Sequence, residues 1–192
     1  MPENALLAVK LLARLVDMSR VASKPIQFPD QLNLDIKGSD IVVKSDKATL
    51  ALPKTGGVDV KLSNGELQVH YHEASKAAIA GTYRSLLNNF VIGLTVGFKT
   101  TLEIKGIGYR ASESGGQIKF VLGKSHDDFY PIPCDLTIKV PKPTIVVIEG
   151  TDKQRVNQAA AEIQALRPPN AYKARGIYRE GVAIKLREVK KK

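Results

Sequence analysis

Tryptophan is absent from this 192-residue chain, cysteine occurs once, and aromatic residues make up only 6% of it. With so few rings, the core has to be assembled from Val, Ile, Leu and Ala. A single thiol, Cys134, excludes an intramolecular disulfide and makes a reducing compartment the simplest setting. No apolar run approaches the roughly 18–20 residues that a bilayer-spanning helix needs. Acidic residues are scarce in one place above all. Residues 167–192 hold nine Lys/Arg against two Asp/Glu, while 1–30, 31–98 and 99–166 each exceed neutrality by one positive charge. Most of the net +10 therefore sits at one end, which points to a localised polyanion contact rather than a generally basic surface. A pI near 9.7 suggests nucleic acid or an anionic membrane surface as the partner.

Apolar residues at 43% and charged residues at 25% describe a globular chain, one ordinary domain or two small ones. Leu7, Leu11 and Leu15 recur at helical spacing, so residues 1–17 are expected to form an amphipathic helix that docks on a partner. From Lys24 the period becomes two. Leu32, Leu34 and Ile36, then Ile41 to Val43 and Thr49 to Leu52, read as strands, with a turn at Gly38-Ser39-Asp40. Val58, Val60 and Leu62 alternate into a turn at Asn64-Gly65, and Leu67, Val69 and Tyr71 return from it. A helix from about Ser75 to Val96 carries Ile79, Leu86, Leu87, Phe90, Val91 and Leu94 on one face.

The pattern then recurs. Leu102, Ile104 and Ile107 lead to Ile118, Phe120 and Leu122. Leu136, Ile138 and Val140 precede a Pro141-Lys142-Pro143 turn and Ile145 and Val147. A helix from Thr151 to Leu166, capped by Thr151 or Asp152, buries Val156, Ala160, Ile163 and Leu166. A shift of 78 residues superposes Val58, Val60 and Leu62 on Leu136, Ile138 and Val140, and Leu67 and Val69 on Ile145 and Val147. The expected fold class is α+β: two similar domains, each an antiparallel β-sheet packed with one main helix, plus a basic C-terminal arm. The boundaries are 1–17 for the extension, 18–98 and 99–166 for the domains and 167–192 for the arm.

Most sites of possible chemistry have a plainer explanation. Gly106-Ile107-Gly108-Tyr109-Arg110-Ala111 fits a dinucleotide fingerprint only superficially, because no helix start follows to hold a pyrophosphate. Gly123-Lys124-Ser125 lacks the earlier glycine of a phosphate loop. His70 and His72 share a strand face but want two more ligands for zinc. Cys134 lies among Asp127, Asp128 and Asp135, which disfavour a thiolate, and reads as a semi-buried free cysteine. No catalytic constellation, cofactor or metal site is expected. The arm differs. Arg167, Lys173, Arg175 and Arg179 can engage phosphates, Tyr172 and Tyr178 can stack, and Gly176 permits close backbone approach.

Pro169-Asn170-Ala171-Tyr172-Lys173-Ala174-Arg175-Gly176-Ile177 closely resembles the signature of the bacterial-type large-subunit ribosomal proteins of the L-six family. Met18-Ser19-Arg20, Lys24-Pro25-Ile26, Gly81-Thr82-Tyr83-Arg84-Ser85-Leu86-Leu87-Asn88-Asn89, Gly106 to Ala111, Val140 to Pro143 and Gly150 to Gln154 extend it in order from Met18 to Lys192. The resemblance implies a non-enzymatic, duplicated α+β protein that binds large-subunit rRNA near the sarcin–ricin loop and stalk base. Neighbouring ribosomal proteins would be partners, and translational GTPases would approach nearby. No membrane or small-molecule substrate is expected. The expected RNA-binding residues are Arg167, Tyr172, Lys173, Arg175 and Gly176, with Arg179, Lys185, Arg187, Lys190, Lys191 and Lys192 added beyond Ile177 on charge alone. Lys153, Thr82, Arg84 and Asn88 complete the set.

Arg175 replaces a usual lysine, and the stretch after Ile177 is one residue shorter than usual. The extension before Met18 favours a mitochondrial ribosome over the bacterial cytoplasm. A free-standing RNA-binding regulator is the alternative function. A chain cut after Leu166 is expected to keep its thermal unfolding and to lose RNA affinity by orders of magnitude.

Overall fold

Period-two alternation drives most of the chain into antiparallel strands, and two stretches of helical period cover them. The computed structural model describes residues 21–37, 40–45, 48–54, 56–63 and 65–187. The expected helix over 1–17, the Gly38-Ser39 and Asn64 turn positions, and Lys190 to Lys192 lie outside the described residues. The chain divides into two compact units, the first ending at Thr95 and the second starting at Val96.

The first unit contains β1 (Ile26–Gln27), β2 (Asn33–Lys37), β3 (Asp40–Lys44), β4 (Thr49–Pro53), β5 (Val58–Ser63) and β6 (Glu66–Tyr71), then α1 (Ala77–Thr95). Its strands divide into two three-stranded sheets, β1-β6-β5 and β2-β3-β4, with every pair antiparallel. In β3 the alternation places Ile41 and Val43 inward, and in β5 and β6 it does the same for Val58, Val60, Leu67 and Val69. Helix α1 covers them with Ala80, Tyr83, Leu87, Val91 and Leu94. Leu86 and Phe90 flank that stripe and are only half-buried. From Leu32, just before β2, burial fades along the strand to an exposed Ile36.

The second unit repeats the order. It contains β7 (Phe98–Lys105), β8 (Arg110–Ser114), β9 (Gln117–Val121), β10 (Asp128–Pro131), β11 (Leu136–Lys142), β12 (Ile145–Gly150), α2 (Lys153–Leu166) and β13 (Gly176–Arg179). The meander β8-β9-β10 matches β2-β3-β4, and β7-β12-β11 matches β1-β6-β5. Asp152 caps α2, its carboxylate accepting the Gln154 N–H at 2.8 Å, a contact worth about 1 kcal/mol.

Two expectations are corrected here. In the second hairpin Lys139 pairs with Val147 but Lys142 with Ile145, so β11 carries one extra residue at Val140-Pro141. Proline has no N–H for the ladder, and an edge-strand bulge accommodates it. The residues of β12 that enter the core are therefore Val146 and Ile148, not Ile145 and Val147. Ile107 is likewise no strand residue: it stands 88% exposed on the turn after β7.

The third correction concerns the arm. Residues 176–179 form β13, which pairs antiparallel with β7 from Gly176↔Lys105 to Arg179↔Leu102 and completes the order β11-β12-β7-β13. Ile177 is 0% exposed within the same core as Leu102, Ile104 and Ile163. Cutting after Leu166 removes this strand and opens the core, so unchanged unfolding is no longer expected. In the full chain, Ile177→Ala is expected to destabilise the second unit by about 2–5 kcal/mol in denaturant unfolding. A loss under 0.5 kcal/mol would mean that β13 is not packed.

Candidate nucleic-acid interface

Helix α2 stops at Arg167 because Pro168 and Pro169 supply no N–H and cannot continue it. The next residues close into a loop rather than trailing off. Arg167 accepts the Ile177 N–H at 2.9 Å, Asn170 donates to the Arg175 carbonyl at 2.8 Å, and Ala174 donates to the Asn170 carbonyl at 3.0 Å. The Asn170 side-chain oxygen accepts both the Tyr172 and Lys173 N–H groups, at 2.8 and 3.0 Å, which is an Asx-type turn. Ala174 completes the reversal at φ 51°, the one positive φ outside glycine among the described residues.

Gly176 closes the loop sterically. Its φ is 133°, and a Cβ there would lie 2.6 Å from the Pro168 carbonyl oxygen. The close approach this glycine permits is to its own loop, and Gly176 itself is buried. Beyond β13 the chain returns, and the Arg187 N–H donates to the Ala171 carbonyl at 2.9 Å.

The resulting surface is cationic. Arg167, Lys173, Arg175, Lys185 and Arg187 are exposed, and Tyr172 is 57% exposed. Among the described residues none of these cations joins an ion pair. Elsewhere Lys44, Lys54, Lys99, Lys105, Lys119 and Lys124 each have an acid within 3.4 Å. Tyr178 does not contribute a stacking ring: it is 7% exposed, with Lys105 Nζ 4.9 Å from its centroid. Arg179 is half-buried, its Nη2 donating to the Asn157 carbonyl at 3.4 Å.

The remaining candidates belong to the two helices. Lys153 starts α2, exposed, with Nζ 5.8 Å from the Phe98 centroid. Thr82, Arg84 and Asn88 belong to α1 in the first unit. Thr82 donates to the Ala78 carbonyl of its own helix at 3.1 Å, and Arg84 Nε donates to the Lys24 carbonyl at 3.2 Å. Asn88 is half-buried. Arg84 thus ties α1 to the segment before β1, a packing role. Sequence reasoning overlooked Asn170, although Asn opening a tight basic loop is the signal of an Asx turn.

The other motifs resolve into packing. A Cβ at Gly106 or Gly123 would lie 2.5 or 2.9 Å from the Tyr109 ring, so the two glycines make room for that buried ring. Strand β8 follows directly, which leaves no helix start for a pyrophosphate. Lys124 sits in the β9–β10 turn, 2.8 Å from Asp128. His72 and His70 are exposed, and His72 bonds Asp59 at 2.8 Å. That bond, then Lys54, holds the Asp59 carboxyl below its ordinary range. No group of three or more His, Cys, Asp or Glu could hold a metal among the described residues. Cys134 is exposed rather than semi-buried, because it lies in the open connection between β10 and β11.

The family described as Ribosomal protein L6 matches residues 105–180. Large ribosomal subunit protein uL6 of Thioalkalivibrio sulfidiphilus is 42% identical over 177 residues, covering 91% of this chain and 100% of the relative. The proteins of that name from Alkalilimnicola ehrlichii and Bradyrhizobium sp. (strain BTAi1) are 41% and 42% identical over the same shares.

Asn170→Ala removes the acceptor of two loop amides while leaving every charge in place. Hydrogen exchange at Tyr172 and Lys173 is expected to accelerate at least tenfold, with β13 amides unaffected. Unchanged exchange at both would show that Asn170 does not order the loop.

Proposed function

The chain belongs to the ribosomal protein L6 family, and on that premise we propose that its 167–187 region is an rRNA contact of the large ribosomal subunit. The role is structural, not enzymatic. One observation carries the proposal: a closed loop presents Lys173, Arg175 and a largely exposed Tyr172, and among the described residues no acid pairs with these cations. A loop held by five backbone and Asx hydrogen bonds gives up little conformational freedom on binding. Arginine and lysine supply the phosphate contacts, and the tyrosine ring offers a face to an unstacked base or an edge to a ribose.

The finer placement rests on the family resemblance. The contact lies near the sarcin–ricin loop and the stalk base, where translational GTPases approach, with other large-subunit proteins as neighbours. Lys185 and Arg187 extend it along the returning chain, Lys190, Lys191 and Lys192 add positive charge later in the sequence, and Lys153 adds a charge at the start of α2. Arg84 and Thr82 are engaged within the first unit and are weaker candidates, as is Asn88. The reported relatives are bacterial, which supports the bacterial cytoplasm over the mitochondrial setting expected from the extension.

Replacing Lys173 and Arg175 together by Gln removes two phosphate contacts. Affinity of the full chain for large-subunit rRNA is expected to fall about a hundredfold in moderate salt. The slope of log K against log salt should shrink by roughly 1.4–1.8. Wild-type affinity and slope in the double variant would contradict the proposal. A variant that loses rRNA binding but never co-sediments with large subunits in its parent form would favour the free-standing regulator.

A further inference from the structure

Strand β13 has one edge on β7, and at Ile177 its other edge is closed by a helix. Alternate residues of an antiparallel strand turn both backbone groups to the same side. Ile177 turns its pair away from β7. Its N–H donates to the Arg167 carbonyl at 2.9 Å, and its carbonyl accepts from the Gln164 side-chain amide at 3.3 Å. Both partners belong to the end of α2, three residues apart and so on one face of the helix. The Arg167 carbonyl is one of the acceptors that any helix leaves open at its C-terminus, whatever its side chains. Gln164 is the part that depends on the sequence. It follows Ile163 at the margin of the buried stripe Val156, Ala159, Ala160 and Ile163, and is itself half-buried. Ile177 is fully buried, so bulk water cannot replace a donor lost from its carbonyl. Arg167 and Ile177 are also the two ends of the loop that carries Tyr172, Lys173 and Arg175. What holds Ile177 holds the far end of that loop.

We infer that Gln164 is a positioning residue of the RNA-binding loop: by donating to the Ile177 carbonyl it fixes β13 against the end of α2 and so sets the stance of Lys173 and Arg175. The inference rests on the rRNA-binding reading and adds to it a neutral residue that acts without touching RNA. An uncharged side chain releases no counterions, so its effect falls on affinity and not on salt dependence. The place requires a donor. Met matches Gln in length and lack of branching but has no donor to give, whereas Arg carries N–H groups on a chain long enough to reach the carbonyl. All three are good helix formers, so α2 is kept in either substitution.

The test uses the full chain, with amide exchange in the free protein and titration of protein-free large-subunit rRNA across a salt series. Gln164→Met is expected to accelerate exchange at Ile177 about tenfold and to weaken binding about threefold to tenfold, with the parental salt slope. Exchange in β12 should stay at the parental rate, which separates this local effect from loss of the fold. Gln164→Arg restores a donor and should return Ile177 exchange to the parental rate. Faster Ile177 exchange with parental affinity would show that Gln164 steadies the strand without positioning the loop, and would overturn the inference. Parental exchange in Gln164→Met would overturn it as well, and so would a reduced salt slope. If Gln164→Met binds like the parent while the Lys173/Arg175 variant is weakened, only the role of Gln164 falls. If neither variant is weakened, the rRNA contact itself is misplaced and the positioning role falls with it.

Discussion

The backbone bond from Ile177 to Arg167, with Ile177 buried beneath it, is the constraint on which the C-terminal region depends. It ties the end of α2 to the start of β13, and the nine-residue excursion between the bonded pair has no choice but to close. Gly176 must pass under the Pro168 carbonyl, where no other residue fits. The two prolines stop the helix, Asn170 folds the loop back on itself, and the cations are left pointing outward. Burial of one isoleucine thus turns a run of positive charge into a surface of defined shape. A loose tail of equal charge would bind a polyanion as well at long range, but it would pay an ordering cost on each encounter.

The duplicated architecture explains where such a strand can attach. In both units a hairpin pairs with an earlier strand, β1 against β6 and β7 against β12. Strand β1 pairs over two residues, whereas β7 runs for eight. The longer β7 has a free edge to offer, and β13 takes it. Covering that edge also removes an exposed template for unwanted strand pairing. Among the described residues the first unit's sheet has no corresponding fourth strand.

Much of this was legible in the sequence. Alternation marked β5, β6, β9 and β11, a short apolar run marked β3, the 3.6 period marked both helices, and the repeat marked the two-part plan. The charge tally singled out the cationic C-terminal region without any structure. What failed did so for specific reasons. The bulge at Val140-Pro141 shifts one strand by a residue, and a period-two pattern flips faces under such a shift. Ile107 looked like a strand residue because an apolar side chain on a turn tip carries no local sign of its exposure. Tyr178 looked like Tyr172, six residues earlier, since only pairing with β7 separates a buried ring from an exposed one. Strand β13 was hidden by its charge: a short edge strand with Arg at one end reads as a tail until its partner is known.

The two tyrosines provide the most direct test of the account. Covalent side-chain footprinting of the full chain, free and bound to large-subunit rRNA, reads both rings in one experiment. Tyr172 is predicted to be labelled in the free protein and protected in the complex, and Tyr178 to resist labelling in both. Labelling of Tyr178 in the free protein, or a Tyr172 that rRNA leaves unprotected, would contradict a strand-anchored loop as the rRNA contact.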